Sequence, residues 1–226
     1  MTPEEWQAVL LSLRVAFFAT LVSLPFGILV AMALARWRFP GRQILNGLVH
    51  LPLILPPVVT GYLLLLTFGR RGTVGQWLAE LGIIFAFNWT GAVLAAAVMA
   101  FPLLVRAIRL SLEAVDPGLE AAAGTLGASP IWVFATVTLP MILPGIIAGA
   151  VLAFAKAMGE FGATITFVAN IPGQTQTLPS AIYALLQVPG GEERAMRLVV
   201  IAIAVAMSAL LLSEWVSRAI ARRIAS

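Results

Sequence analysis

The chain has 226 residues, 61% of them hydrophobic and 11% charged, with a mean hydropathy of +0.99. A soluble domain carries about 25% charged residues, so this composition excludes one and points to an integral membrane protein. There is no cysteine, one histidine (His50) and a net charge of +4 carried mostly by arginine, which excludes a disulfide framework and a Cys/His metal cluster.

Residues 1–14 read as a short N-terminal segment, with Glu4 and Glu5 and no basic residue before Arg14. Arg14 is placed to snorkel to the membrane interface. The apolar run over 15–35 is long enough to cross a hydrocarbon core of about 30 Å, and arginines follow it. That charge order is the reverse of a cleaved signal peptide, so the run is read as the first span. Further spans are expected over 44–68, 85–105, 139–158 and 198–216, giving an all-α membrane domain over about 8–216 and a tail at 217–226. Pro56 and Pro57 fall inside the second span and should bend it. The phrase Leu51-Pro-Leu-Ile-Leu-Pro56 returns as Leu139-Pro-Met-Ile-Leu-Pro144. Proline is tolerated in a first helical turn, so the repeat reads as a shared helix-start signal rather than a duplication. Eight arginines (Arg36, Arg38, Arg42, Arg106, Arg109, Arg218, Arg222, Arg223) fall on one side of the spans and four (Arg70, Arg71, Arg194, Arg197) on the other. This places the N-terminus outside and the C-terminus in the cytoplasm, with 110–138 cytoplasmic as well.

Between spans three and four, Asp116-Pro117 and Ser129-Pro130 each combine an N-cap with a proline at the first helical position, and Gly127 supplies a turn between them. A helix–turn–helix is expected, the first helix to about Leu126 and the second to about Thr138. From Leu110 to Ala155 there is no lysine or arginine, while Glu113, Asp116 and Glu120 are acidic, so phosphate contacts and nucleic acid are excluded. Ala121, Ala122, Ala123 and Gly124 allow close approach, and Trp132 and Phe134 can anchor the second helix. Composition leaves a structural cap and a docking site for another protein both open.

Span four ends in Ala-Lys-Ala-Met-Gly-Glu-Phe-Gly, with Lys156 and Glu160 four apart on one helix face and Gly159 and Gly162 around the glutamate. Ionisable residues inside a membrane usually face a bundle interior or a wet cavity. A neutralising pair beside a gate and a simple interfacial ion pair are both open. The mixed, Pro/Gly-bearing stretch 163–194 reads as an external loop with a short helix over 180–187. No G-x-x-x-x-G-K-[ST] phosphate cradle occurs anywhere, so the chain hydrolyses no ATP by that means.

The stretch Glu120–Pro140 resembles the EAA loop of the membrane subunits of bacterial ABC importers, which runs E-A-A, three residues, Gly, nine residues, Ile, one residue, Leu-Pro. Gly127, Val137, Leu139 and Pro140 match at the family spacing, with Val for Ile, and Ala122 and Ala123 fill the alanine positions. The glutamate, Glu120, stands one residue before the family position, which Ala121 occupies. "EWQAVLLSL", "LPLILPPVVTGYLLL", "FGRRG", "GAVLAAAVMAFPLLVRAIR" and "GEFGATITFVANIPGQTQTLPSAIY" are similar to the permease of molybdate ABC transporters, and more distantly to the sulfate and thiosulfate permeases. The resemblance implies a type I ABC importer transmembrane fold in a bacterial inner membrane. It implies a permease homodimer, two ATP-binding subunits docked on the EAA loops, and a periplasmic molybdate-binding protein. No cofactor is implied. An oxyanion passing beside Lys156 and Glu160 would then meet Thr164, Thr166 and Asn170. The alternatives are a sulfate, thiosulfate or tungstate permease of the same build, a self-sufficient secondary transporter or channel, and a membrane scaffold; the last two do not require the EAA spacing.

Overall fold

The computed structural model describes residues 1–225, with side chains placed through Leu212 and at Trp215. Every regular element among the described residues is a helix. Helix α1 (Pro3–Arg36) opens on a capping box: the Thr2 hydroxyl accepts from the Glu5 N–H at 3.3 Å, and the Glu5 carboxylate accepts from the Thr2 N–H at 2.9 Å. Residues 3–14 are therefore the first turns of α1, not the separate segment expected, because Thr2-Pro3-Glu4-Glu5 starts a helix well before hydropathy rises.

The expected second span is two helices, α2 (Arg42–Ile54) and α3 (Pro57–Phe68), whose axes differ in direction by 116°. Leu55 and Pro56 both precede a proline, which disfavours the α region, and both are extended, with ψ of 144° and 134°. A short helix that sequence reading missed, α4 (Thr73–Glu80), follows. Then come α5 (Trp89–Glu113), α6 (Pro117–Thr125) and α7 (Pro130–Val133). A π-helical segment, Phe134–Thr138, joins α7 without a break to α8 (Leu139–Met158). The second helix of the expected pair is thus the root of span four. The Leu139 N–H reaches back to the Phe134 carbonyl, and this wide turn accommodates Pro140, which has no N–H and whose ring would crowd a tighter turn.

Helices α9 (Gly162–Val168) and α10 (Leu178–Leu186) occupy the stretch expected as an external loop. The short helix expected over 180–187 is α10, but the stretch is not an open loop: Phe167, Val168, Thr175 and Leu178 are fully buried, with α9 against α3 and α5, and α10 against α1 and α11. The last helix, α11 (Glu192–Ala225), starts before the expected 198 and absorbs the expected tail through residue 225. Ser226 and the side chains of Arg218, Arg222 and Arg223 lie outside the described residues.

Helices α1, α5 and α8 form the centre, where buried alanines (Ala16, Ala19, Ala92, Ala95, Ala96) let backbones approach. Phe18 lies beside Trp89, and Gly27 beside Leu104, so α1 and α5 run in the same direction. Gly145 lies against Ser111 and Gly149 against Leu104, so α8 runs opposite. Arg194 meets Glu5 at 2.8 Å, so α11 starts where α1 starts. The α2–α3 pair begins at the far end of α1, where the Arg42 guanidinium donates to the Leu34 carbonyl at 3.0 Å. It ends beside Phe85, near the start of α5. The broken pair therefore traverses the bundle as one interrupted crossing. With it the described residues hold five apolar crossings, four of them single long helices.

Candidate functional site

Two places gather the residues singled out in the sequence. The first is the α6–α7 segment at the end of the bundle where α1 and α5 finish. The Asp116 carboxylate accepts from the Gly118 N–H at 2.8 Å and starts α6; the Ser129 hydroxyl accepts from the Trp132 N–H at 3.4 Å and starts α7. Gly127 turns the chain between them at φ +88°, a conformation costly for any residue with a Cβ. The Ala128 N–H donates to the Ala123 carbonyl at 3.3 Å, closing the end of α6. The resulting tip is apolar and open: Leu126 is 89% exposed, Ile131 83% and Trp132 64%. Trp132, expected to anchor the second helix, faces outward, whereas Phe134 is half-buried against a cavity.

The EAA-like residues divide between two environments. Ala121, Ala122 and Gly127 are exposed on the tip side. Val137, Leu139 and Pro140 are half-buried in the π segment and first turn of α8. Glu120 and Ala123, one turn apart, face inward. The Glu120 carboxylate lies 3.2 Å from Arg36 Nη2 and accepts from the Thr138 hydroxyl at 2.7 Å. Arg36 Nη2 also donates to the Val115 carbonyl at 3.4 Å. Arg36 and Thr138 were not marked as site residues in the sequence, and no local signal marks them, because they lie 84 and 18 positions from Glu120. A cavity of about 340 Å³ opens behind these groups, between α1, α5, α6 and α7.

The second place is where the interrupted crossing lies against the end of the fourth crossing. Helix α8 stops at Met158, and α9 restarts at Gly162. In the gap, Glu160 pairs with Lys156 Nζ at 3.1 Å and accepts from the Ala163 N–H at 2.9 Å. Its side chain is 2% exposed, that of Lys156 31%. The α2–α3 interruption lies against this one: a Cβ on Gly162 would stand 2.7 Å from Pro57 Cβ, and one on Gly61 would stand 2.5 Å from the Ala163 carbonyl oxygen. Only glycine permits that approach. Thr164 is buried in the first turn of α9 beside the pair, and Thr60 is buried in the first turn of α3 with its hydroxyl unpartnered among the described residues. Thr166 turns back to donate to the Gly162 carbonyl at 2.8 Å. Asn170 lies past the end of α9, its Oδ1 buried and unpartnered among the described residues. Just before it, Ala169 has φ +64° and ψ −161°, a region almost reserved for glycine.

An interrupted crossing packed on the end of a continuous one, with buried polar groups at the contact, and an open apolar tip rooted in the continuous crossing mark a membrane transport subunit. The comparisons agree: residues 23–226 match the family described as "Binding-protein-dependent transport system inner membrane component", and the chain belongs to that family. It is 64% identical over 219 residues to the "Molybdenum transport system permease protein ModB" of Escherichia coli K12, covering 96% of each chain. To the "Sulfate transport system permease protein CysT" of the same organism it is 38% identical over 185 residues, covering 82% of this chain and 67% of that one. In fold it superposes on a bacterial ABC transporter involved in import of the acidic polysaccharide alginate, with a TM-score of 0.76 at 19% identity, covering 96% of this chain and 80% of the other.

Proposed function

We propose that the chain is the membrane permease subunit of a molybdate importer. In this reading it works as a symmetric pair with two cytoplasmic ATP-hydrolysing subunits and a periplasmic binding protein. The observation that carries the reading is the 64% identity to a molybdenum permease across nearly the whole of both chains, against 38% for the sulfate permease of the same organism. The α6–α7 end faces the cytoplasm, since Arg36, Arg38, Arg42, Arg106 and Arg109 cluster there and the backbone of α11 runs toward it.

The mechanism follows from continuity. ATP closes the partner subunits and displaces the apolar tip formed by Leu126, Ile131 and Trp132. Because α7, the π segment and α8 are one uninterrupted rod, the displacement arrives where the rod stops, at Gly159–Phe161. There Lys156 neutralises Glu160, so an oxyanion entering between the two copies does not meet a bare carboxylate. Donors serve an oxyanion, which places the Thr164 hydroxyl and the Asn170 amide ahead of Thr166, whose proton is already donated. A path that binds its cargo weakly also releases it, so selectivity resides in the binding protein.

The test is uptake of labelled molybdate by the complete complex in proteoliposomes, with sulfate as competitor and with the ATPase omitted. ATP-dependent molybdate uptake that excess sulfate leaves unchanged is expected. Uptake without the ATPase would establish a secondary transporter or channel, and sulfate uptake in preference to molybdate would establish the sulfate reading.

A further inference from the structure

We propose that Arg36, Glu120 and Thr138 form a latch that fixes the first coupling helix, α6, to two spans at once: the end of α1 and the root of α8. The proposal rests on the reading that the 117–138 segment receives the ATP-driven partner, and it gives Glu120 an inward role.

Three observations converge. Glu120 Oε1 sits 3.2 Å from the Arg36 guanidinium and 2.7 Å from the Thr138 hydroxyl, so one carboxylate oxygen bridges α1 and α8. The same guanidinium nitrogen holds the Val115 carbonyl at 3.4 Å, at the joint where α5 gives way to α6. Arg36 thus binds both ends of the Val115–Glu120 stretch. Thr138 is the last residue of the π segment, and such segments recur at functional sites.

Without the latch, α6 is a nine-residue helix with no buried residue of its own, packed mainly on the π segment and α7 rather than on α1. Pushed from outside, it would slide over α1 without moving it. With the latch, its displacement carries the ends of α1 and α8 together. The bond suits a moving part. Arg36 and Glu120 are about a quarter exposed, and ion pairs of that exposure are weak enough to break and remake. The 340 Å³ cavity behind them, bounded by Met32, Leu112 and Phe134, leaves room for α6 to shift. Arg36 Nε is buried without a partner among the described residues, so the guanidinium has a donor in reserve for a second arrangement.

The experiment compares Arg36→Gln, Glu120→Gln and Thr138→Val in the reconstituted complex, with two readouts: ATPase retained on the permease, and molybdate moved per ATP hydrolysed. Retention within about twofold of the parent, with transport per ATP reduced about fivefold or more, is expected for each. The charge swap Arg36→Glu with Glu120→Arg, and the conservative Thr138→Ser, should restore at least half of the coupling. Two results overturn the latch. One is parental transport per ATP in all three variants. The other is ATPase retention lost about tenfold in Glu120→Gln with coupling per docked subunit intact, which would make Glu120 a direct partner contact. A parent complex that moves no molybdate overturns the transport reading instead.

Discussion

Residues 51–56 and 139–144 differ at a single position, Leu53 against Met141, yet they do opposite things. The first ends in a 116° change of direction, and the second runs on inside a 29-residue apolar helix from Pro130 to Met158. The difference lies in the next residue. Pro57 follows Pro56, so two successive residues are pushed out of the α region; Gly145 follows Pro144, so at the end of the second phrase Leu143 alone precedes a proline. Inside a membrane an interrupted helix is tolerated where protein covers the freed backbone. Here α3 lies on α9, the short helix that follows the end of α8. One prolyl doublet thus separates a bent crossing from a continuous one.

The sharpest way to break the contrast is to give α8 a prolyl doublet, one residue earlier so that Gly145 keeps its place against Ser111. Leu143 is 36% exposed, so Leu143→Pro introduces no clash of side chains. It removes one helical N–H bond at a cost of about 3 kcal/mol, about two orders of magnitude in an equilibrium. Molybdate uptake should fall about 100-fold while the ATPase still co-purifies through the α6–α7 tip. Uptake near the parental rate would show that α8 need not be continuous.

Next in size is the seam between the interrupted helices. In Gly61→Ala the new Cβ would stand 2.5 Å from a backbone oxygen, which cannot rotate away. Overpacking of this kind costs about 2 kcal/mol. A lower thermal unfolding midpoint in detergent and a loss of uptake of about tenfold are expected; an unchanged midpoint would mean that α3 and α9 stand farther apart.

Much of this was legible beforehand, and the illegible part has a common cause. Pro56-Pro57 announces its own interruption, and Asp116-Pro117, Gly127 and Ser129-Pro130 announce the ends of α6 and the start of α7. The continuity of α7 with α8 was hidden, because Leu139-Pro140 looks like a fresh helix start and only a π turn absorbs the proline. The stretch 163–194 reads as a loop with one short helix because Pro172, Gly173 and Pro179 interrupt its middle, yet α9 and α10 bury its apolar residues against helices far away in sequence. Arg36 with Glu120, and Gly61 with Ala163, are tertiary facts that local chemistry does not encode. The Lys156–Glu160 pair was legible as four-residue spacing, but the additional bond from Glu160 to the Ala163 N–H depends on where the helix breaks.

That bond sets a third expectation. Lys156→Met leaves a carboxylate that is 2% exposed without its countercharge. Breaking a fully buried pair costs about 3–5 kcal/mol, and the partial exposure of Lys156 reduces this to about 1–2 kcal/mol. Glu160→Gln keeps an oxygen for the Ala163 N–H and removes the charge, so it should be milder. Uptake reduced about tenfold in the first variant and less than threefold in the second fits a neutralising pair. The reverse order would mean that the carboxylate itself is required.

The smallest effect is expected from relaxing the doublet. Pro57→Ala frees Pro56 from its following proline, but Leu55 still precedes Pro56, so the interruption should persist at a shallower angle with uptake reduced by about twofold. Replacing both prolines with alanine should let α2 and α3 join. The chain has no cysteine, so single cysteines at Leu48 and Leu66, both exposed, can carry spin labels without background. An unbroken helix would separate these positions by about 27 Å, and a sharp bend makes the distance much shorter. A short distance in the parent, slightly longer in Pro57→Ala and near 27 Å in the double variant, would assign the bend to the doublet. A distance that stays short without either proline would assign it to packing on α9, and the contrast between the two phrases would then rest on their neighbours rather than on their own residues.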